Sequence, residues 1–521
     1  MTLSRIALMM GLSPLAFVCA PALAQQADTP ITAREAAELR AEISALRAEI
    51  DAIKVDRART AADPLIPPAA KAAAAPASVI PSWKGAPQLE DKASGWSFKP
   101  RGRMHFDAGY VGIPGAYAAN RNLGFNSRVR RIRLGAEGTM PGGFGYKVDV
   151  DFANGNASFG DAYVSYAAKE SPIHVRVGNF ETLDGLEQIS SSSNVTYTER
   201  TQMNDAFLNT RRLGAAMAYQ TEEFKIEGGL FTGHSIDGSF NNDGWIGAMR
   251  GTYSPKALGG QLHLGASWQH REFQSNDGGT ASISTNSPSA NQLARYRARP
   301  FTQLTDVRFV DTGQFAASGD DVFGVEAAAI FKSLYFTGEA QWTKVNAYSA
   351  GDLASGLDTF AGGNSAVVPT SDPTFFGIYG EVGYFLTGET RGYKESLWGR
   401  TKVLKPMGKA GGTGAFQIAA RFDYLDLDSN KLKNGVTNSF TTGTSSLAAA
   451  NARLGRGGTQ TGYLLALNWY PIDYIRVMLN YSRVEVKGGP LAAQVKPLSV
   501  LPIDQRGYGV DLFAARLQLE F

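Results

Sequence analysis

Apolar and polar residues alternate along most of this chain. Residues 513–521 place Phe513, Ala515, Leu517, Leu519 and Phe521 on one face, and Ala514, Arg516, Gln518 and Glu520 on the other. That is the period-2 pattern of a strand with one greasy face and one mostly wet face. Residues 98–110 repeat it, with Phe98, Met104, Phe106, Ala108 and Tyr110 opposite Lys99, Arg101, Arg103, His105 and Asp107. Tyr146, Val148, Val150 and Phe152 alternate with Lys147, Asp149 and Asp151. Further runs begin near Arg128, Phe159, Ile173, Arg211, Phe224, Trp245, Leu262, Val322, Leu334, Phe375, Ala415, Thr461, Tyr474 and Tyr508, separated by Gly, Asp, Asn and Pro turns. The count is about sixteen strands, an even number.

A soluble sandwich buries one face of each strand against a second sheet and needs fewer long strands. Here one face is apolar or aromatic and the other carries full charges along many strands, the lipid-out, water-in arrangement of a wide barrel. No apolar run after residue 95 is long enough for a helical membrane span. The predicted class is therefore an all-β membrane protein, an antiparallel transmembrane β-barrel over residues 96–521. Tyr163, Tyr166, Trp245, Tyr253, Trp469, Tyr470 and Tyr474 fall near strand ends, where interfacial girdles sit. Connections at Glu222-Glu223 and Pro471-Ile472-Asp473 are short, while residues 182–210, 273–320, 347–374 and 430–458 are long, as periplasmic turns and outer loops should be.

The segment before the barrel divides into three. Residues 1–24 read as a secretory signal, with Arg5, an apolar core and the small-x-small site Ala22-Leu23-Ala24. Cys19 is the only cysteine, and Ala16-Phe17-Val18 before it does not fit a lipoprotein site. Cleavage after Ala24 would leave no thiol or disulfide chemistry. Residues 25–60 contain a heptad seam, Leu39, Ile43, Leu46, Ile50 and Ile53. With Ile43 and Ile50 at a, the g positions are Glu35, Glu42 and Glu49, and the e positions are Arg40, Arg47 and Lys54. Opposite charges at g and e′ suit a parallel periplasmic coiled coil, and Ile at a with Leu at d favours two strands. Residues 61–95 are rich in Pro and Ala and read as an extended linker.

The candidate chemistry is cationic. Arg128, Arg130, Arg131 and Arg133 put four arginines into six residues, and the alternation points Arg131 and Arg133 into the lumen with Arg103 on the neighbouring strand. Arg295, Arg297 and Arg299 share one face of a long loop. Guanidinium stays charged and offers forked donors to phosphate, carboxylate or sulfate, and rings of such groups make a pore favour anions. The five histidines, His105, His174, His234, His263 and His270, show no metal-ligand spacing. His105 beside Asp107 is the nearest approach to a catalytic pair, and a polar lumen residue is its ordinary meaning. No enzyme, metal or cofactor is predicted. A formal charge of +3 does not point to nucleic acid.

Several motifs resemble the phosphate-selective porins of the O and P type. They are Arg130-Arg131 with Leu134, Phe159-Gly160-Asp161-Ala162, Val177-Gly178-Asn179-Phe180, Gly185-Leu186-Glu187 and Thr198-Glu199-Arg200. Residues 386–394, Leu-Thr-Gly-Glu-Thr-Arg-Gly-Tyr-Lys, and Leu467-Asn468-Trp469-Tyr470 complete the set. The resemblance covers the whole barrel. It implies a homotrimer of sixteen-stranded outer-membrane barrels in contact with lipid and lipopolysaccharide. It also implies a third loop, residues 182–210, folded inward as a constriction, and small anionic solutes passing along Arg103, Arg130, Arg131, Arg200, Arg295, Arg297 and Arg299. Gln188 and Ser193 stand where phosphate-selective members carry lysine, and Gly160 stands where they carry an acid. Phosphate preference is the part these departures weaken. Phe521 is the expected recognition terminus for the barrel-assembly machinery. A rival expectation is a structural tether, with the barrel as anchor and the coiled coil binding peptidoglycan or another envelope component.

Overall fold

The computed structural model describes residues 33–60 and, from 82 to 521, all but 84, 116–121, 154, 156, 169, 208–209, 234–243, 274–292, 314, 348–366, 409–410 and 435–456. The signal sequence and most of the linker lie outside the described residues. Helix α1 (Ala33–Thr60) spans the heptads and forms a unit apart from the barrel. Its seam residues Ile43, Leu46, Ile50 and Ile53 are all exposed. The expected helix is present; its pairing with another copy is not shown.

Sixteen strands form the wall: β1 (Trp96–Val111), β2 (Gly124–Met140), β3 (Phe144–Asp151), β4 (Ser158–Ala167), β5 (Ile173–Glu181), β6 (Arg211–Gln220), β7 (Phe224–Thr232), β8 (Trp245–Tyr253), β9 (Gly260–Glu272), β10 (Phe315–Phe331), β11 (Leu334–Ala347), β12 (Thr374–Phe385), β13 (Ala415–Asp426), β14 (Thr459–Ile472), β15 (Ile475–Lys487) and β16 (Gly507–Glu520). Each pairs antiparallel with the next. Strand β16 returns to β1, from Leu512 opposite Val111 to Glu520 opposite Arg103. Closure leaves no edge, so the wall's backbone groups are satisfied without water, the condition for crossing lipid with strands. Among the described residues, no helix is long and apolar enough to cross a membrane.

Alternation sorts the two faces. Ile226 is 58 % exposed on the outside while Glu227, next in the chain, is 6 % exposed on the inside. Aromatic pairs gather near both ends of the outer surface. Phe144 and Tyr166 (centroids 5.0 Å apart) and Phe224 and Tyr253 (4.4 Å) lie at one end, and Trp342 and Phe376 (5.2 Å) at the other. These are the girdles expected at lipid–water boundaries.

The connections differ by end. Residues 141–143, 168–172, 221–223, 254–259, 332–333 and 473–474 are short turns at the end that carries Trp96 and Glu520. The opposite end carries the long loops, including 182–210 and 273–314. One connection breaks the expected asymmetry: residues 386–414, at the turn end, are as long as an outer loop. They fold inward, and Trp398 and Val403 join Leu186, Tyr335, Phe385 and Tyr470 in an apolar cluster inside the barrel. A larger cluster at the loop end joins Tyr197, Met203 and Phe207 to Tyr296, Phe301 and Phe309.

The seam depends on a small residue. Gly102 and Phe521 exchange backbone hydrogen bonds (Gly102 N to Phe521 O 3.1 Å, Phe521 N to Gly102 O 3.0 Å). The Phe521 ring occupies the space a Cβ at Gly102 would fill. Gly102→Ala should therefore destabilise the folded barrel by about 1–3 kcal/mol through overpacking. Adding it to Phe521→Ala should cost little more than Phe521→Ala alone, because the clash partner is gone. Heat-modifiable electrophoretic mobility and urea unfolding of the refolded barrel check both; additive losses would contradict the contact.

Candidate functional site

The lumen is shaped by residues 182–210, between β5 and β6. Gly185, at φ +37°, turns the chain where a Cβ would meet the Glu339 carboxylate. Helix α2 (Leu186–Ile189) follows, with Leu186 fully buried, and helix α3 (Gln202–Phe207) closes the loop. Two carboxylates anchor it to the wall. Glu187 pairs with Arg421 of β13, accepts from Thr201 N (2.9 Å), and its own N donates to Glu339 (2.8 Å). Glu199 accepts from Arg130 Nε (2.7 Å) and Nη2 (3.1 Å) of β2 and from Arg516 Nη2 (2.8 Å) of β16. Arg516 also clamps Asp107 of β1 with two bonds of 2.6 and 2.7 Å. Between the anchors, Gln518 donates to Ser193 O, Arg476 to Val195 O, Asn468 to Thr196 O, and Thr198 N to Asn480. The loop thus lies against β13–β16 and fills that half of the lumen.

Residues 386–414 clasp the loop from the turn end. Arg391 donates to Asn194 O (2.5 Å), Trp398 N donates to Ser190 Oγ (2.9 Å), and Asn194 donates to Trp398 O (2.9 Å). The segment is docked on the wall through Tyr393, whose hydroxyl lies 2.7 Å from His263 Nδ1 and 2.6 Å from Ser254 Oγ. Arg250 donates to Ser396 O (3.2 Å).

The other half stays open. A cavity of ≈ 660 Å³ runs along β1–β7 beside the loop. Twelve Arg and Lys side chains line it against six Asp and Glu. Every one of the six carboxylates is ion-paired: Asp149 and Asp161 with Lys147, Glu181 with Arg211, Glu199 with Arg130, Asp205 with Arg308, and Glu227 with Lys225. Among the described residues, Arg131, Arg176 and Arg200 of the lining have no carboxylate partner. Arg200 donates only to Glu187 O (3.0 Å) and Ser190 O (2.8 Å), and the Arg131 Nε makes no hydrogen bond. Arg176 stacks on Tyr163 (4.9 Å) and Phe180 (5.0 Å).

Of the residues expected from sequence, Arg103, Arg130, Arg131, Arg133, Arg200, Arg299 and Gln188 line this cavity. Arg103 binds Ser192 (3.0 Å), Ser191 (2.7 Å) and Glu520 (3.0 Å), and Arg133 binds Asp151 (2.8 Å). Arg295 and Arg297 lie further out along their loop and do not line it; Arg295 is held by Asp311 (2.6 Å). Ser193 faces away, with its carbonyl bound by Gln518 (3.1 Å). Phe521 sits at the seam. His105 and Asp107 form no hydrogen-bonded pair, since Arg516 takes the Asp107 carboxylate. No group of three or more His, Cys, Asp or Glu among the described residues could hold a metal.

Two bulges bring in what strict alternation omits. Arg130 is the extra residue where the β1–β2 register shifts between His105 and Phe106, so Arg130 and Arg131 both face inward. Gly160 and Asp161 share one bulge opposite Asp149, and Asp161 lines the cavity, bonded to Lys147 and Arg211 (2.6 Å). Arg101, Lys147, Arg176, Arg211 and Lys225 complete the basic wall. For Arg101, Lys147, Arg176 and Lys225 the signal was present: each stands between apolar or small neighbours on the polar face of a predicted strand, whereas Arg211 is followed by Arg212. Ser191 and Ser192 had no such signal.

A closed strand wall with girdles outside and a polar, loop-narrowed lumen inside defines an outer-membrane diffusion channel. The sequence profile of the phosphate-selective porin O and P family matches residues 98–519, and the chain belongs to that family. A Caulobacter vibrioides protein described only as uncharacterized is 32 % identical over 470 residues, covering 87 % of this chain and 79 % of its own. Porin O of Pseudomonas aeruginosa is 23 % identical over 426 residues, covering 78 % and 87 %. Among solved structures, an anion-selective porin from Comamonas acidovorans aligns with TM-score 0.45 and 11 % identity over 82 % of this chain and all (100 %) of its own. The channel DcaP of Acinetobacter baumannii aligns with TM-score 0.43 and 13 % identity over 83 % and 99 %.

The Glu199 anchor has a testable pH dependence. Burial alone would push its carboxyl up, but Arg130 and Arg516 outweigh burial and hold it well below the usual carboxylate range. A depressed folded pKa gives stability that is complete above the unfolded value of about 4.3 and lost as pH falls through the folded value. Single-channel conductance should hold from about pH 8 to about pH 5 and become noisy only in stronger acid. Glu199→Gln should bring that noise to neutral pH and cost roughly 3 kcal/mol by stranding the guanidiniums. An unchanged current trace and melting point in the variant would contradict the anchoring role.

Proposed function

We propose that this outer-membrane porin conducts anions in preference to cations. The reading is carried by the cavity lining, where cations outnumber acids two to one and every acid is already neutralised by a cation. The surplus guanidiniums of Arg131, Arg176 and Arg200 attract anions into a low-dielectric passage and repel cations. Arg103, Arg130, Arg133 and Arg299 extend the basic surface along the path, and Arg295 and Arg297 form its outer approach. Residues 182–210 act as the constriction, with Gln188 in the lining behind its surface, its amide donating to Glu181 (3.2 Å). Reversal potentials in a KCl gradient across a planar bilayer test this. Their sign should report chloride permeation exceeding potassium; a cation-selective or silent protein would overturn the reading.

Small anions are the solute class, phosphate among them. Gln188 offers an amide where the resemblance puts a lysine, so phosphate block of chloride current should be weak in the natural protein. Gln188→Lys should strengthen that block about tenfold, a modest share of the few kcal/mol one added charge can supply at close range. Ser193→Lys should not, because Ser193 lies off the cavity. Equal effects of the two substitutions would contradict the assignment of the path.

The assembled protein is a homotrimer in this reading. Residues 1–24 direct export, residues 25–60 form a periplasmic coiled coil, and residues 61–95 link it to the barrel. Phe521 serves recognition by the barrel-assembly machinery, and the rim arginines meet lipopolysaccharide. The exposed apolar seam of α1 and its complementary e and g charges support association between copies; the number three rests on the family resemblance, since Ile at a with Leu at d favours two strands. Deleting residues 25–87 should leave conductance intact and lower the temperature at which trimers dissociate on electrophoresis. Loss of current on deletion would overturn that division of labour.

A further inference from the structure

Beside the main cavity, a void of ≈ 20 Å³ lies where the tip of loop 182–210, residues 386–414 and strands β15 and β16 meet. Its lining includes Ser193, Arg391, Arg400, Asp473, Arg476 and Glu520. Arg391 and Arg476 are only 4 % and 2 % exposed. Every hydrogen bond these two guanidiniums make goes to a neutral acceptor. Arg476 donates to Val195 O (2.8 Å), the Tyr470 hydroxyl (3.3 Å) and Gln518 Oε1 (2.9 Å). Arg391 donates to Asn194 O and stacks on Tyr335 (5.0 Å) and Trp398 (4.8 Å). The Nε atoms of both, and the Ser193 hydroxyl, are buried with no hydrogen-bond partner among the described residues.

Neither carboxylate at the void bonds Arg391 or Arg476. Glu520 is shared between Arg103 (3.0 Å) and Arg400 (3.6 Å), and Asp473 Oδ1 accepts from Val403 N (2.8 Å). Three guanidiniums therefore face two carboxylates, an excess of one positive charge around a small void. Arginine cannot shed that charge by deprotonation, and an uncompensated buried charge costs several kcal/mol. The unpartnered guanidinium atoms are donors only, so they want an acceptor carrying negative charge. The volume admits one water-sized particle and excludes a tetrahedral oxyanion.

We propose that this void is a binding site for one monatomic, monovalent anion of the size of chloride. The ion would bridge Ser193 of the constriction loop, Arg391 of the 386–414 segment and Arg476 of the wall. Its role is structural: it ties the two inward-folded segments to β15 and fixes the constriction from behind. The site adjoins the main cavity at Asn194 and Gly399, but its test reads occupancy and stability rather than selectivity, so it stands or falls independently of anion preference.

The test uses the full-length protein. Crystals soaked in sodium bromide should show an anomalous difference peak between Arg391 and Arg476. An ordered water there with no anomalous signal would overturn the proposal, as would an empty void. In solution, replacing gluconate by chloride at constant ionic strength should raise the melting temperature saturably, as ligand linkage requires, while sulfate should not substitute. Arg476→Gln should weaken the half-saturating chloride concentration about tenfold or more. If that variant does not fold, Ser193→Ala, which removes one donor and little volume, should reduce bromide occupancy. A melting temperature indifferent to the halide, or unchanged occupancy in Ser193→Ala, would contradict the site.

Discussion

A single carboxylate, Glu199, held between the guanidiniums of Arg130 and Arg516, sets the geometry on which the pore depends. It crosses from the inward loop to two strands that flank the closing seam. With Glu187 on Arg421 at the other end of the loop, it leaves residues 182–210 one place to lie, against β13–β16. The space not taken is the cavity along β1–β7. Had the loop lain against the opposite wall, its anchors would have neutralised the very arginines that now face water.

The same electrostatic logic divides the lumen. In the filled half, buried carboxylates of the loop and wall are held by arginine, such as Glu187 and Glu381 by Arg421, or Asp320 by Arg271. Such pairs contribute little net stability because desolvation offsets attraction, but they penalise any arrangement that separates them. They therefore specify where the loops sit. In the open half, the balance tips to cations because water remains to solvate the excess. The charge that fixes structure and the charge that meets solute belong to one network, with Arg130 in both.

The wall was legible from residue patterning because its cause is local. Lipid outside and water inside force alternation, and all sixteen predicted strands are present, most within a few residues of the expected start. The bounds 182–210 of the constriction loop were readable because β5 and β6 are strongly patterned on either side. Bulges were not legible, since they arise from pairing with a neighbour. Alternation placed Arg131 inward and could not place Arg130 there as well. Nor could it place Asp161 inward beside Gly160. The motif at 386–394 was visible as a motif, yet its inward fold depends on His263, Arg250 and Ser190, residues distant in the chain. Arg295 and Arg297 shared a face with Arg299, but only Arg299 reaches the cavity, because strand-like spacing in a loop says nothing of depth.

The central claim is that the open path runs along β1–β7 and carries an excess of positive charge. Substituted-cysteine reactivity tests it most directly, since Cys19 is the only native cysteine and precedes the barrel. At Ser191→Cys, on the cavity lining and only partly buried, a negatively charged thiol reagent should react faster than a positively charged one of equal size and should reduce current, while Asn468→Cys, fully buried behind the loop, should react with neither. Faster reaction of the cationic reagent, or equal reactivity at the two positions, would contradict the account.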